Sequence, residues 1–107
     1  MAKTNKNVET VVVSNYDAFY DVLLEDGVIE PDTPMYEYLR RDDAKGKRVC
    51  GIVPLHIAAE ADSLVVARMR IPRNRQGEQL SVEELRKYVS GYDTYTVSKE
   101  PFEPGSA

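Results

Sequence analysis

The sequence has no tryptophan, one cysteine and one histidine among its 107 residues. The lone Cys50 excludes an internal disulfide, and beside the lone His56 it cannot build a structural zinc site of the Cys/His type. Long apolar runs are missing as well. The stretches at 11–13 and 52–55 fall far short of the roughly 20 residues that a membrane span needs. No charged, apolar and small-residue leader opens the chain, so the expectation is a soluble, cytoplasmic protein. Nor is there a basic excess: 14 Lys plus Arg stand against 18 Asp plus Glu, for a net charge of −4. Such a body does not hold long duplex nucleic acid nonspecifically. With 42% hydrophobic and 30% charged residues, the chain is neither largely disordered nor collagen-like. Its length suits one domain over residues 1–107, with loosely held ends at 1–7 and 99–107.

Between those ends the patterning alternates. Residues 9–13 form a β-branched run suited to a buried strand, and it stops at Ser14-Asn15, two residue types favoured at helix N-caps. Tyr16, Phe19, Tyr20, Leu23 and Leu24 then recur at helical spacing. Asp17 stands three positions after Ser14 as in a capping box, and Gly27 supplies a left-handed stop, which places a helix at about 16–26. A short second strand is expected at 35–39, before the charged stretch 40–47. A third strand at 48–53 leads through Pro54 into a second helix reaching Glu60. Residues 63–71 read as a strand that is buried at its start and emerges into solvent. Ser81 with Glu84 forms another capping box, opening a helix that Gly91 would end, and residues 92–98 close the pattern with a fifth strand.

Strands alternating with helices imply crossover connections. The expected class is α/β: a small Rossmann-like three-layer sandwich with a mostly parallel sheet of about five strands and about three helices. In such a sheet ligands bind outside the carboxyl ends of the strands. Three of those ends should share one rim: Ser14-Asn15, then Pro54-Leu55-His56, then Arg70 to Arg73 and Arg75. Backbone N–H groups, a histidine and guanidinium forks all donate to phosphate oxygens, so the chemistry favoured there is phosphate chemistry. Each residue also has a plainer account. Ser14 and Asn15 could serve only as caps, His56 could satisfy a neighbouring backbone group, and the arginines could be an ordinary solvated loop. Cys50 reads as a small core residue. No GxGxxG, GxxxxGK[ST] or HExxH pattern occurs, so no nucleotide cofactor and no metal is expected.

Gly51-Ile52-Val53-Pro54-Leu55-His56-Ile57-Ala58-Ala59-Glu60, followed downstream by Gly77-Glu78-Gln79-Leu80-Ser81-Val82-Glu83-Glu84-Leu85 and a final Tyr95-Thr96-Val97, resembles the small stand-alone CRISPR-associated ring nucleases of type III systems. The resemblance spans about residues 48–98. It implies cleavage of cyclic oligoadenylate, with the four-membered ring expected as substrate, by a metal-independent homodimer that switches off the type III messenger. The ring's own 2′-hydroxyl would attack, leaving linear products with 2′,3′-cyclic phosphate. On that reading His56, Arg73 and Ser14 are the catalytic candidates. Asn15, Pro54, Leu55, Arg70 and Arg75 join them in holding the ligand. A sensor or sponge that binds the ring uncut, or a plain interaction subunit, would fit the same residues. The chain departs from the family pattern at one place: Ser14-Asn15-Tyr16 stands where members often carry a basic or histidine-bearing turn.

Overall fold

The valine run at Thr10–Val13 forms β1, a central strand buried on both faces. Its side chains alternate with period two. Val12 faces a layer containing Phe19, Leu23 and Leu85, while Val11 and Val13 face Leu39, Ala44 and Ile57. In the computed structural model, which describes residues 8–105, four strands join it: β2 (Met35–Tyr36), β3 (Arg48–Cys50), β4 (Ser63–Met69) and β5 (Val89–Tyr95). Their order is β2-β1-β3-β4-β5. The first four run parallel, and β5 pairs antiparallel with β4. Helices α1 (Asp17–Glu25) and α4 (Val82–Tyr88) cover one face, and α2 (Arg41–Ala44) and α3 (Leu55–Ala58) the other. The chain is therefore the expected α/β three-layer sandwich with a mostly parallel five-stranded sheet. No helix among the described residues is long and apolar enough to cross a membrane.

Several boundaries differ from expectation, each for a tertiary reason. The stretch 40–47 contains α2, a short helix opened when the Arg40 N–H donates to the Asp43 carboxylate at 3.1 Å and seated by the buried Ala44. It brings the helix count to four. α3 ends at Ala58 rather than Glu60, because the α2–β3 turn captures the following backbone: Gly46 N–H donates to the Glu60 carbonyl at 3.0 Å, and Asp62 N–H to that of Lys47 at 2.8 Å. α4 ends at Tyr88, whose carbonyl accepts the Arg70 N–H at 3.0 Å, and the chain turns directly into β5. Gly91 is thus a strand residue, lying beneath the Arg68 guanidinium where a Cβ would clash. β5 begins three residues before the expected start at 92 and ends at Tyr95. Met35–Tyr36 is all that forms of the second strand. Residues 99–105 have no regular structure and are exposed; the expected loose start at 1–7 lies outside the described residues.

Two other readings hold. Gly27 (φ 74°) closes α1 in a Schellman turn, with Val28 N–H donating to Leu23 at 2.9 Å and Gly27 N–H to Leu24 at 3.1 Å. Ser81 and Glu84 form the reciprocal capping box of α4, each bond 3.1 Å long. α1 and α4 are locked together by Leu23 and Leu85, both fully buried and each stabilising by about 1.5–3 kcal/mol. Arg86 bridges Glu25 at 2.9 Å and Asp26 at 2.7 Å, and the Tyr92 hydroxyl donates to Asp26. The bonds from Tyr92 and Arg86 hold the Asp26 carboxyl below its ordinary range, while burial, and secondarily the bond to Asp26, pushes the Tyr92 phenol up; exposed ion pairs of this kind stabilise little. Apolar packing therefore carries the layer.

Gly51, just past β3, is the tightest point. Its φ is 137°, and a Cβ there would overlap the Val13 carbonyl oxygen and crowd the Val13 side chain at 2.8 Å. Gly51→Ala should therefore cost about 3 kcal/mol or more. Gly27→Ala meets open space and should cost only about 1–2 kcal/mol for its left-handed backbone. Urea denaturation midpoints measure both, and equal losses would refute the close approach.

Candidate functional site

The parallel strands β1 to β4 point their carboxyl ends at one edge of the sheet. β1 crosses to β2 through α1 on one face, whereas β3 crosses to β4 through α3 on the other. The chain therefore diverges between β1 and β3, which opens a crevice at that edge. The ridge between the two halves of the crevice is made by Val13 and Ile52. Ile52 is 73% exposed despite its apolar side chain.

On the α1 side lies a concavity of about 240 Å³ walled by Tyr16, Phe19 and Met69, with Ser14 and Asn15 at its rim. On the α3 side lies one of about 300 Å³ walled by Tyr38, Arg40, Arg41, Pro54 and His56. The structure thus brings Ser14 and Asn15 together on one side and Pro54 and His56 together on the other. Leu55, 75% exposed, lines neither. A larger hollow of about 680 Å³ opens at the opposite, amino edge beside Gly27, Pro31, Lys47 and Arg48. None of the sequence-predicted residues lines it.

Ser14 has a local role. Its N–H donates to Tyr36 at 3.0 Å, and its Oγ accepts the Tyr16 N–H at 2.9 Å. The expected Ser14–Asp17 capping box does not form. Tyr16 is the N-cap residue, and Ser14 instead closes a turn onto its own backbone. Asp17 N–H is met by Gln79, whose Oε1 accepts it at 3.4 Å while its Nε2 donates to the Asn15 carbonyl at 2.9 Å. One side chain thus ties the end of the arginine loop to the β1–α1 turn. Sequence reading missed Gln79 because its partners lie 62 and 64 residues away.

Within the arginine cluster the carboxylates decide which groups remain available. Arg68 is paired with Asp93 at 3.1 Å. Arg75 is paired with Glu78 at 3.0 Å and Glu84 at 2.9 Å, contacts that raise the Arg75 pKa. Arg70 and Arg73 are exposed, and among the described residues neither has a carboxylate partner. Arg73 sits in the 3₁₀ turn Arg73–Arg75. Arg40 and Arg41 were not singled out in the sequence, although they follow a fourth parallel strand end. Arg41 is paired with Glu60 at 3.2 Å, whereas Arg40 has no carboxylate partner among the described residues. His56 is exposed on the one-turn helix α3.

Cys50 stays in the core, where burial pushes its thiol pKa up to about 11. Among the described residues, no group of three His, Cys, Asp or Glu side chains could hold a metal ion. The edge thus offers cations and hydrogen-bond donors beside apolar walls, a combination suited to an anionic ligand with a hydrophobic portion.

The Arg75–Glu84 contact should control the mobility of the loop that carries Arg73. Arg75, and secondarily the Ser81 N–H, hold the Glu84 carboxyl below its ordinary value of 4.5. The tether is therefore complete above pH 4.5 and lost as the pH falls through the lowered folded value. Glu84→Gln should speed trypsin cleavage after Arg73 and Arg75 at pH 8 while the thermal midpoint moves little. An unchanged cleavage half-life would refute the tether.

The chain matches no family model, no curated protein and no solved structure.

Proposed function

We propose that this chain is a cytoplasmic, metal-independent phosphodiesterase: a homodimeric ring nuclease that linearises cyclic oligoadenylate, with cyclic tetra-adenylate as substrate, and so ends type III CRISPR signalling. The observation that carries this reading is the meeting of parallel strand ends at one crevice furnished with Ser14, Asn15, Arg40 and His56, and flanked in sequence by Arg70 and Arg73. The resemblance around Pro54-Leu55-His56 supplies the substrate. A two-fold ring laid between two copies of the edge would present equivalent phosphates to both.

The chemistry asks little of the protein. As the substrate 2′-oxygen bonds to the adjacent phosphorus, the bond from phosphorus to the 5′-oxygen breaks. The proton leaving the 2′-hydroxyl is balanced by the one taken up at the 5′-oxygen. The products carry a 2′,3′-cyclic phosphate and a 5′-hydroxyl. Negative charge gathers on the non-bridging and departing oxygens, where a guanidinium and an imidazole stabilise it more than they stabilise the bound ring. Arg40 and His56 wall one concavity, so a phosphate there meets both. Arg73, which has no carboxylate partner among the described residues, adds attraction for the ring.

One observation favours binding without cleavage as a second reading: the Ser14 hydroxyl is engaged in its own turn. Labelled cyclic tetra-adenylate separates the two. The phosphodiesterase yields linear product ending in 2′,3′-cyclic phosphate at the same rate in EDTA, since substrate hydroxyl, cations and N–H donors suffice. Intact ring retained on the protein supports the second reading, and activity lost in chelator and restored by Mn²⁺ overturns the metal-independent mechanism.

Under saturating ring, His56→Ala should lower turnover by roughly 100- to 1000-fold, the usual effect of losing one preorganised donor. Its effect on binding should be small. Arg73→Ala should weaken binding and slow cleavage together. His56→Ala cutting at the wild-type rate would remove His56 from the reaction.

A further inference from the structure

We propose that the hollow at the amino edge of the sheet is a slot for an added strand, filled by residues 96–100 of a second copy of this chain. It uses the edge opposite the crevice, so it stands or falls apart from the phosphodiesterase reading.

The slot begins as a gap in the sheet. β1 is a central strand, yet β2 pairs only with its carboxyl half, at Val12 and Val13. There Val12 N–H donates to the Pro34 carbonyl at 2.8 Å and Ser14 N–H to that of Tyr36 at 3.0 Å. One step toward the amino end, the parallel ladder needs an N–H from residue 34 to reach the Thr10 carbonyl, and proline has none. The matching acceptor for the Thr10 N–H would be the Asp32 carbonyl, but the chain turns there through a left-handed backbone (φ 73°). Neither Thr10 group has a partner on that side among the described residues. The loop across the gap is nevertheless fixed, since the Tyr20 hydroxyl donates to the Thr33 carbonyl at 2.7 Å and Thr33 Oγ1 to that of Glu30 at 2.6 Å. Between loop and strand lie about 680 Å³, lined among others by Val28, Ile29, Glu30, Asp32 and Arg48. A free donor and acceptor on a strand edge, beside a standing wall, are what an added strand engages.

At the same edge a strand runs out of partner. β5 is antiparallel to β4 and so ends at the amino edge, where Tyr95 pairs with Leu64, next to the first residue of β4, Ser63. The alternating pattern continues through Thr96, Val97 and Ser98, but residues 96–100 have no regular structure. In an extended segment Val97 faces one side and Thr96 and Ser98 the other, so Val97 can lie on Val28 and Ile29. Lys99 and Glu100 part in the same way. The slot holds a charge for each: Glu30 and Asp32 have no cationic partner, and Arg48 no carboxylate, among the described residues. Lys47 is already held by Glu9 at 3.8 Å.

Reach decides whose segment enters. The slot lies on the far side of β1, four strand spacings or about 19 Å from β5. Residues 96–100 fully extended span at most about 18 Å, and they would arrive across the strands rather than along them. The occupant is therefore a second copy, and reciprocal exchange about a two-fold axis fills both slots and closes the pair.

Sedimentation velocity of the whole chain, over a concentration series and without any nucleotide, tests the exchange. The expected result is a monomer–dimer equilibrium. Replacing both Thr96 and Val97 by proline removes an N–H from each side of the added strand and should raise the dissociation constant about tenfold or more. The thermal midpoint at monomeric dilution should stay put, since these residues belong to no element of the fold. Lys99→Glu and Glu30→Lys should each weaken pairing several-fold. An equimolar mixture of those two variants should restore it, because every segment then meets a slot of opposite charge. A monomer at every concentration, a dimer indifferent to the proline pair, or a mixture no tighter than its components overturns the exchange. Association that appears only when cyclic tetra-adenylate is added belongs to the crevice and overturns it as well.

Discussion

The close approach of β3 to β1 at Gly51 is the constraint on which the other features depend. Only a residue without a Cβ lets the end of β3 lie against the Val13 carbonyl. From there β1 continues into α1 on one face, and β3 continues into α3 on the other. The crevice, its ridge of Val13 and Ile52, and its division into two unlike halves follow from that divergence. Displacing β3 by the width of a methyl group would disturb the parallel pairing of Val12 with Cys50 and the walls of both concavities together.

Electrostatics acts second, by subtraction. The chain carries more carboxylates than cations, and of the arginines at 40, 41, 68, 70, 73 and 75 three are neutralised where they stand. Glu78 and Glu84 take Arg75, Asp93 takes Arg68, and Glu60 takes Arg41. These exposed pairs stabilise the fold little. Their consequence is selective: Arg40, Arg70 and Arg73 keep guanidinium groups free of carboxylate partners among the described residues. Of these, Arg40 walls the α3-side concavity of the crevice, while Arg70 and Arg73 line neither concavity.

Local signals were reliable where a structural unit is local. The Ser81–Glu84 capping box and the Gly27 stop are contacts within a few residues, and both were legible. The resemblance of Ser14 and Asp17 to a capping box was misleading, since Tyr36 and Gln79, remote in sequence, hold the N–H groups of Ser14 and Asp17 and shift the start of α1. The expected helix end at Gly91 failed for a related reason: Arg70 takes the Tyr88 carbonyl, and pairing with β4 outweighs another turn of helix.

What the sequence determined by itself is the alternation of apolar strands and amphipathic helices, hence the three layers and the edge at which strand ends gather. Hydrophobic period and short-range turns carry that information, because they concern residues that are neighbours along the chain. Tertiary structure alone decided how the edge is furnished. It separated His56 from Ser14 and Asn15 by a ridge, placed Arg40 beside His56, paired Arg75 away, and brought Gln79 across to fix Asn15. Each of these is a contact between residues distant in sequence, set by which helix crosses which face. No spacing along the chain encodes such a contact.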